Sequence, residues 1–407
     1  VNTTVIVFLL VYLGLLMGRL PWLSLDRTGV ALLGAIVLLA TGTVTLEQAG
    51  EAVHVPTLAL LFSFMVLSAQ LRQAGFFDWV TRRVGTAALS PPVLLLPVIM
   101  VSGVLAAVFS NDIVCLAMAP VLIDVCLRRG LDPVPYLLGL ACAANVGSAL
   151  TLIGNPQNML IAQLLTLDFT TYLLTAAPVV IVGLLLVWAV LAGLYAGRWQ
   201  LPPGAGAAPP PPGVPLDRLQ TCKGLTVAGV LMLAFLFTDW PLELVALTGA
   251  GVLLLSRRMH SRQTLGLVDW QVLVLFIGLF IVNHALQLTP VPDRSVAMLA
   301  TYGVDITSVG WLFGVTVVLS NLVSNVPAVM LLLPYAEHPL AGVVLALAST
   351  LAGNLLIVGS IANIIVVEIA ARQGIIISWR THARTGVLVT LLSLLIAAGW
   401  IAWLLRS

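Results

Sequence analysis

Two groups of amide, hydroxyl and backbone-freeing residues stand inside otherwise apolar sequence, in the same order. The first is Ser110-Asn111-Asp112, then Asn145, then Gly154-Asn155-Pro156-Gln157-Asn158. The second is Ser324-Asn325-Val326-Pro327, then Asn354, then Gly359-Ser360-Ile361-Ala362-Asn363. Ser-Asn recurs after 214 residues, close to half of the 407-residue chain, and Gly-x-x-x-Asn recurs behind it at 154–158 and 359–363. In a lipid-like solvent such residues are costly, because each frees or exposes backbone polar groups that hydrocarbon cannot satisfy. They persist where the break is buried in protein or lines a cavity, and paired breaks at matching places in two halves point to a solute-binding site.

Each residue type suggests a chemistry. Ser110 and Asn111 suit the N-cap of a helix starting near Asp112, and Ser324 and Asn325 suit a second, with Pro327 in its first turn. A buried helix N-terminus offers free N–H groups and positive partial charge to an anion or a polyhydroxy solute. Asn145, Asn155 and Asn158, and again Asn354, Ser360 and Asn363, sit where a helix should continue. Pro156 cannot donate an N–H and Gly154, Gly353 and Gly359 permit unusual backbone angles, so the helix is expected to unwind and leave carbonyls for a cation or a bound solute. Each of these features also has a plain structural reading, capping or kinking, which the duplication weakens. Asp112 has Val326 at its place in the second group, and a lone intramembrane acid is a candidate for carrying a proton or helping to bind sodium. With Gly154 and Gly359 it makes up the expected ion-coupling set. Asp124 and Glu368 lie near Arg128, Arg129 and Arg372 and read as ion-paired residues, while His284 reads as interfacial.

The elements that must position these groups follow from composition. The chain is 60% hydrophobic and 8% charged, against about 25% charged for a soluble domain. An all-α polytopic membrane protein is expected, with no sign of nucleic-acid binding. Apolar runs place spans near 3–18, 28–43, 54–71, 134–167, 171–196, 222–238, 241–256, 270–288, 341–371 and 383–405, those at 134–167 and 341–371 being discontinuous. Val1–Gly18 lacks a basic region ahead of its apolar run and is read as the first span. Stretches 92–127 and 307–336 hold the Ser-Asn pairs at their middles. Their arms of about 15 residues fall short of the about 20 a crossing needs, so each reads as a re-entrant hairpin. Amphipathic segments near 75–84 and 292–302 lead into them. The proline-rich 198–221 reads as a stiff cytoplasmic linker between a first repeat, 1–197, and a second, 222–407. Each repeat then crosses five times, ten in all, and five being odd makes the repeats inverted in topology.

Arginine and lysine test this count. Assigning loops alternately to two sides puts 16 of the 18 basic residues on one side and only Arg294 and Arg406 on the other. By the positive-inside rule the rich side is cytoplasmic, both termini are extracytoplasmic, and the protein sits in the inner (plasma) membrane. The four cysteines, Cys115, Cys126, Cys142 and Cys222, show no metal or disulfide spacing. The five histidines, His54, His260, His284, His338 and His382, fall near loops or span ends with no nucleophile–base pair, which argues against an intramembrane enzyme. No basic residue falls at either tip or break.

These motifs resemble the arsenite permease family of the ion transporter superfamily, which also includes plant silicon efflux transporters, sodium/proton antiporters and more distant citrate and dicarboxylate carriers. The likeness rests on Ser110-Asn111-Asp112, Ala144-Asn145-Val146-Gly147-Ser148, Ile153-Gly154-Asn155-Pro156-Gln157-Asn158, Ser324-Asn325-Val326-Pro327, Ala352-Gly353-Asn354, Gly359-Ser360 and Ala362-Asn363. It is nearest to the arsenite and silicon branch, since dicarboxylate carriers have Ser-Asn-Thr at both tips. The resemblance implies a scaffold and a transport domain, with Ser110, Asn111, Ser324 and Asn325 at hairpin tips and Asn145, Asn155, Asn158, Asn354, Ser360 and Asn363 at unwound helices forming the substrate site. The expected activity is secondary transport of a small inorganic anion or metalloid oxyacid such as arsenite or silicic acid, outward and by proton antiport. Sodium-coupled carboxylate or sulfate transport and sodium/proton antiport are the alternatives. No cofactor or metal is expected beyond a coupling H+ or Na+. No Walker A motif is present, so an ATPase would have to be an external subunit.

Overall fold

In the computed structural model, residues 2–18, 25–201, 213–256 and 259–406 are described. The proline runs expected to form the linker lie within 202–212, outside the described residues, as do Arg19, Arg257 and Arg258. The first half contains α1 (Asn2–Met17), α2 (Arg27–Ala40), the short α3 (Leu46–Ala52), α4 (Val55–Gln73), α5 (Phe76–Gly85), α6 (Pro91–Phe109), α7 (Asn111–Arg128), α8 (Pro133–Ser148), α9 (Pro156–Leu164) and α10 (Phe169–Leu194). The second half repeats that order as α11 (Arg218–Phe237), α12 (Leu242–Leu254), the short α13 (Ser261–Leu265), α14 (Trp270–Gln287), α15 (Val291–Thr301), α16 (Val309–Val323), α17 (Asn325–Leu332), α18 (Ala341–Ala352), α19 (Ile361–Arg372) and α20 (Trp379–Leu404). No strand occurs among the described residues.

Acidic residues start many of these helices. Asp26, Asp132, Asp168, Asp217 and Asp269 each accept a hydrogen bond from a backbone N–H in the first turn of α2, α8, α10, α11 and α14. Such caps satisfy N–H groups that a helix cannot satisfy itself. Asp168 thus holds the start of α10.

The two halves interlock. α2 packs on α14 and α4 packs on α12, which are equivalent pairs when the halves are exchanged. Within each half the broken helix lies on the helix before the Ser-Asn turn, α8 on α6 and α18 on α16, and α10 packs on α20. Trp400 Nε1–H donates to the Thr175 carbonyl at 2.9 Å, so α10 and α20 run antiparallel. Apolar side chains point outward along α10, α11 and α20, among them Leu174, Leu233 and Leu395. That is the pattern of a surface solvated by lipid.

Six helices are long and apolar enough to cross a membrane: α4, α6, α10, α11, α14 and α20. Five of them are expected spans, and α6 is an expected hairpin arm. α1, α2 and α12 have 16, 14 and 13 residues. The remaining two expected crossings are interrupted, so neither piece of either one spans by itself. The arms also depart from expectation. α6 and α7 have 19 and 18 residues instead of about 15, while α16 and α17 have 15 and 8. Length alone therefore does not make α6 a half-crossing. Arg129, just past α7, ties that end to the segment ahead of α6, its guanidinium donating to the Gly85, Ala87 and Leu89 carbonyls at 2.7, 2.8 and 3.0 Å.

The same end of the bundle gathers most of the described arginines. Lys223 near the start of α11 donates to Leu253 and Leu255 at the end of α12. Thr28 at the start of α2 donates to Gln271 at the start of α14. The residues after the proline-rich stretch return to the α4–α5 corner, where Val214 N–H donates to Asp78 and Asp217 N–H to the Ala74 carbonyl. Asp124 is paired as expected, with Arg82 at 2.8 Å and Arg128 at 2.6 Å. Its carboxylate is 4% exposed while the two arginines are 37% and 68% exposed. Asp124→Ala is expected to cost about 2 kcal/mol, below the about 3–5 of a fully buried pair because both arginines keep water. Thermal unfolding of the purified variant checks this, and a midpoint equal to wild type would show the pair to be idle.

Candidate functional site

The Ser-Asn turns share one backbone conformation. Ser110 has φ 70° and ψ 132°, and Ser324 has φ 80° and ψ 160°. Thr166 is the only other non-glycine residue with positive φ among those described. Such angles are uncommon for side-chain-bearing residues, so their recurrence 214 residues apart marks equivalent corners. One expectation is corrected here. The helices begin at Asn111 and Asn325, and neither serine side chain makes a capping hydrogen bond, because the positive φ turns it away from the first turn. The helix ends stay free of side-chain caps. Instead, Asn111 N–H reaches the Gly154 carbonyl at 3.1 Å and joins the first corner to the first break.

Both helix breaks occur where glycine, proline and asparagine predict them. α8 ends at Ser148 and α9 starts at Pro156, with Asn155 accepting from Asn158 N–H at 2.9 Å as its cap. α18 ends at Ala352 and α19 starts at Ile361 after a single 3-10 turn, Ile357–Gly359. Several of the carbonyls freed by unwinding are taken by side chains of the protein itself. Asn158 Nδ2 donates to Thr151 O at 2.9 Å, and Asn363 Nδ2 donates to Gly353 O at 2.9 Å and Leu356 O at 3.1 Å. The final asparagine of each Gly-x-x-x-Asn motif thus cradles the carbonyls of its own break. Tyr172 on α10 donates to Ala149 O at 2.8 Å, and His382 on α20 to Asn354 O at 3.1 Å.

Asn145 joins the halves. Its Oδ1 accepts from Asn111 Nδ2 at 3.0 Å and from Ser360 Oγ at 2.8 Å. Its Nδ2 donates to Asn354 Oδ1 at 2.9 Å and Asn363 Oδ1 at 3.1 Å. Asn155 Nδ2 donates to Ser148 Oγ at 3.0 Å and crosses to Thr350 Oγ1 at 3.2 Å, which Gln157 Nε2 also reaches. This network is shut from solvent. Asn145 is 1% exposed and Asn155, Asn158, Asn354 and Asn363 are 0%.

Some amide capacity remains unused. Asn111 Oδ1, Asn158 Oδ1, Asn321 Oδ1, Asn325 Oδ1 and Asn354 Nδ2 are buried without a partner. Asn325 Nδ2 lies 3.3 Å from the position a Cβ on Gly353 would occupy, and Asn321 Oδ1 lies 3.4 Å from that on Gly359, so both amides press against the second break. An unpaired buried amide atom is costly and asks for an explanation. Four of the five are acceptors.

The expected residues are therefore not equivalent. Asn111, Asn145, Asn354, Ser360 and Asn363 form one cluster, Asn155 and Asn158 a second behind it, and Asn325 faces Gly353. Ser110 and Ser324 stay half-buried at the corners and take no part in the network. Gly154 is packed against Ser148, and Gly359 against Gly353. Asp112 stands half-buried in the first turn of α7. A basic group is also present at a break. Arg27 Nη2 donates to the Val358 carbonyl at 3.3 Å, correcting the expectation of a site without one. Arg27, His382 and Thr350 carry no motif, and only the packing of distant helices reveals them. His284 lines a separate cavity of about 400 Å³ with Glu51, His54 and Asn283. On its wall, Tyr12 donates to Asn283 Oδ1 at 2.8 Å.

A sequence model described as citrate transporter matches residues 12–351. The chain belongs to the citrate transporter family. A Mycobacterium tuberculosis protein described as an uncharacterized transporter is 31% identical over 93% of this chain and 94% of its own length. The silicon efflux transporter of rice, Oryza sativa, is 27% identical over 86% of this chain and 87% of its own. Among solved structures, the YdaH transporter of Alcanivorax borkumensis covers 99% of both chains with a TM-score of 0.55 at 16% identity, which shows a shared fold. This member of the citrate transporter family is a membrane transporter, and the duplicated asparagine breaks are its candidate site.

Proposed function

We propose that this transporter moves a small uncharged oxyacid of a metalloid, in the manner of arsenite or silicic acid, by outward proton antiport with alternating access. The observation that carries this reading is the set of buried amide oxygens without partners, on Asn111, Asn158, Asn321 and Asn325. A neutral oxyacid brings O–H donors that satisfy them, whereas a carboxylate or sulfate brings only acceptors. Asn354 Nδ2 would donate back to the solute. Ser110, Asn111, Ser324 and Asn325 form the tips in this reading, and Asn145, Asn155, Asn158, Asn354, Ser360 and Asn363 the supporting frame. Asp112 takes up the coupled proton, with Gly154 and Gly359 letting the breaks flex beside it.

The two sets of ten helices are read as inverted repeats of five crossings, with α6–α7 and α16–α17 as re-entrant hairpins. The arginine-rich end then faces the cytoplasm, and the outer ends of α1 and α20 face outward across the inner membrane. Contact of the second break with Arg27, at a helix start on the arginine-rich end, supports an inward-displaced site.

One alternative has its own support. Arg27 at the second break and the citrate description of the family favour a cation-coupled carboxylate carrier. The deciding experiment uses liposomes containing the purified protein and a trapped pH-sensitive dye, with gradients of arsenite, silicic acid, sulfate, succinate and sodium imposed in turn. Proton flux driven by arsenite or silicic acid, and reduced at least about tenfold in Asp112→Asn, is the expected result. Sodium-dependent succinate entry would replace this reading with the carboxylate carrier. Proton flux with sodium alone would replace it with a sodium/proton antiporter.

A further inference from the structure

His382 is the fourth residue of α20, and Tyr172 is the fourth residue of α10. These are the equivalent helices of the two halves. The two side chains do the same work: Tyr172 Oη donates to the carbonyl of Ala149 in the first break, and His382 Nε2–H donates to that of Asn354 in the second. Tyrosine keeps its proton far above neutrality, whereas imidazole titrates in the working range of a cell. The second break alone is closed by a group that can change charge.

We propose that His382 is a proton-operated latch on the second break, closed when neutral and released when protonated. Its contact is close by construction. Gly386, one turn further along α20, leaves no room for a side chain, since a Cβ there would sit 2.3 Å from Asn354 O. The imidazole is 1% exposed. No hydrogen bond to its Nδ1 occurs among the described residues, so an added proton would go there. The elements packed on α20 are α8, α10, α18 and the 357–359 turn. Their ionisable side chains are Tyr136, Cys142 and Tyr172, which carry no charge near neutrality, and Tyr136 and Tyr172 donate to Pro91 O and Ala149 O. On α20 itself Arg380 and Arg384 are exposed and two positions away on either side, so they do not face His382. An imidazolium in this place has a carbonyl beside it but no carboxylate. An unpaired buried charge is unfavourable, so protonation is coupled to leaving the contact for water.

Release would act on the site directly. The backbone of Asn354 accepts from His382 while its side-chain Oδ1 accepts from Asn145, the joint between the halves. The proposal deepens the transport reading, adding to Asp112 a second proton-carrying group on the opposite break, and depends on it only for the use made of the proton.

The first measurement therefore needs no solute. Amide hydrogen exchange of peptides covering 353–363 is followed between pH 8 and pH 5.5, corrected for intrinsic rates and referred to the 133–148 peptide. Wild type is expected to lose protection in 353–363 at least about tenfold on acidification. His382→Gln and His382→Tyr, the latter copying the first half, are expected to respond less than about twofold. A flat wild-type profile, or variants that follow wild type, overturns the latch. If both variants fail to fold, the wild-type profile still decides, together with an NMR titration of the His382 ring, whose midpoint must coincide with that of the exchange change. In liposomes with arsenite as the probe, His382→Gln is expected to lower the ratio of coupled proton flux to arsenite flux at least about tenfold. Full proton coupling in that variant overturns the role in coupling. Absence of proton flux with every solute in wild type overturns the transport reading and leaves the exchange result to judge the latch.

Discussion

Asn145→Ala is expected to destabilise the protein by about 3 kcal/mol and to abolish transport. Four hydrogen bonds end on this side chain, to Asn111, Ser360, Asn354 and Asn363, and all four partners are buried. Removing the amide leaves each without a substitute from water. Interhelical hydrogen bonds in membrane proteins average about 0.6 kcal/mol, and a stranded buried polar group costs about 1 or more, so the four together reach about 3. The loss also removes the side chain that ties α8 and Asn111 to the second break. Ser110→Ala is the matched control. Its hydroxyl makes no capping bond, so its cost is expected within about 0.5 kcal/mol. Thermal unfolding of both variants in detergent is the check, and equal midpoints for Asn145→Ala and Ser110→Ala would remove Asn145 from its position as the joint.

Gly154→Ala is expected to be nearly as damaging, at about 3 kcal/mol, and much worse than Gly359→Ala. A Cβ at 154 would lie 2.2 Å from the Ser148 carbonyl oxygen and 2.7 Å from Ser148 Cα. These are backbone atoms, which cannot rotate aside, so the cost falls at the top of the about 1–3 kcal/mol range for overpacking. The displaced chain also carries the Gly154 carbonyl away from Asn111 N–H, uncoupling the first corner from its break. At 359 the nearest atom is Gly353 O at 3.1 Å, which needs only a few tenths of an ångström of relief, and about 1 kcal/mol is expected. Unfolding midpoints ranked Gly154→Ala well below Gly359→Ala would bear this out. Equal midpoints would mean that the first break is as pliant as the second.

Much of the frame was legible because backbone disruption has a local sequence signature. Asn155 caps the next helix and Pro156 takes its first position, so the restart after the first break is written within two residues. Ser324-Asn325 repeats Ser110-Asn111 because both corners need the same positive φ followed by a new helix. The partner of each polar group was less legible. The carbonyls expected to await a cation are held by Asn158 and Asn363 of the same motifs, an arrangement that spacing permits but does not reveal. The bounds of the first hairpin were legible to within a residue, 92–127 against 91–128, but its arms of 19 and 18 residues are longer than the expected about 15.

Sequence by itself determined that the chain is a lipid-solvated helical protein built twice over, with two breaks at matching positions. It could do so because apolar runs, glycine and proline act over a few residues or over simple counts. Only the tertiary structure decided that Asn145 ties α8 to the second break, that Arg27 reaches that break from another helix, and that His382 closes the second while Tyr172 closes the first. Arg27 and Val358 are 331 residues apart. Their meeting depends on how α2 and α14, and α4 and α12, cross between the halves, and a buried polar group takes whichever partner that packing brings within hydrogen-bond reach.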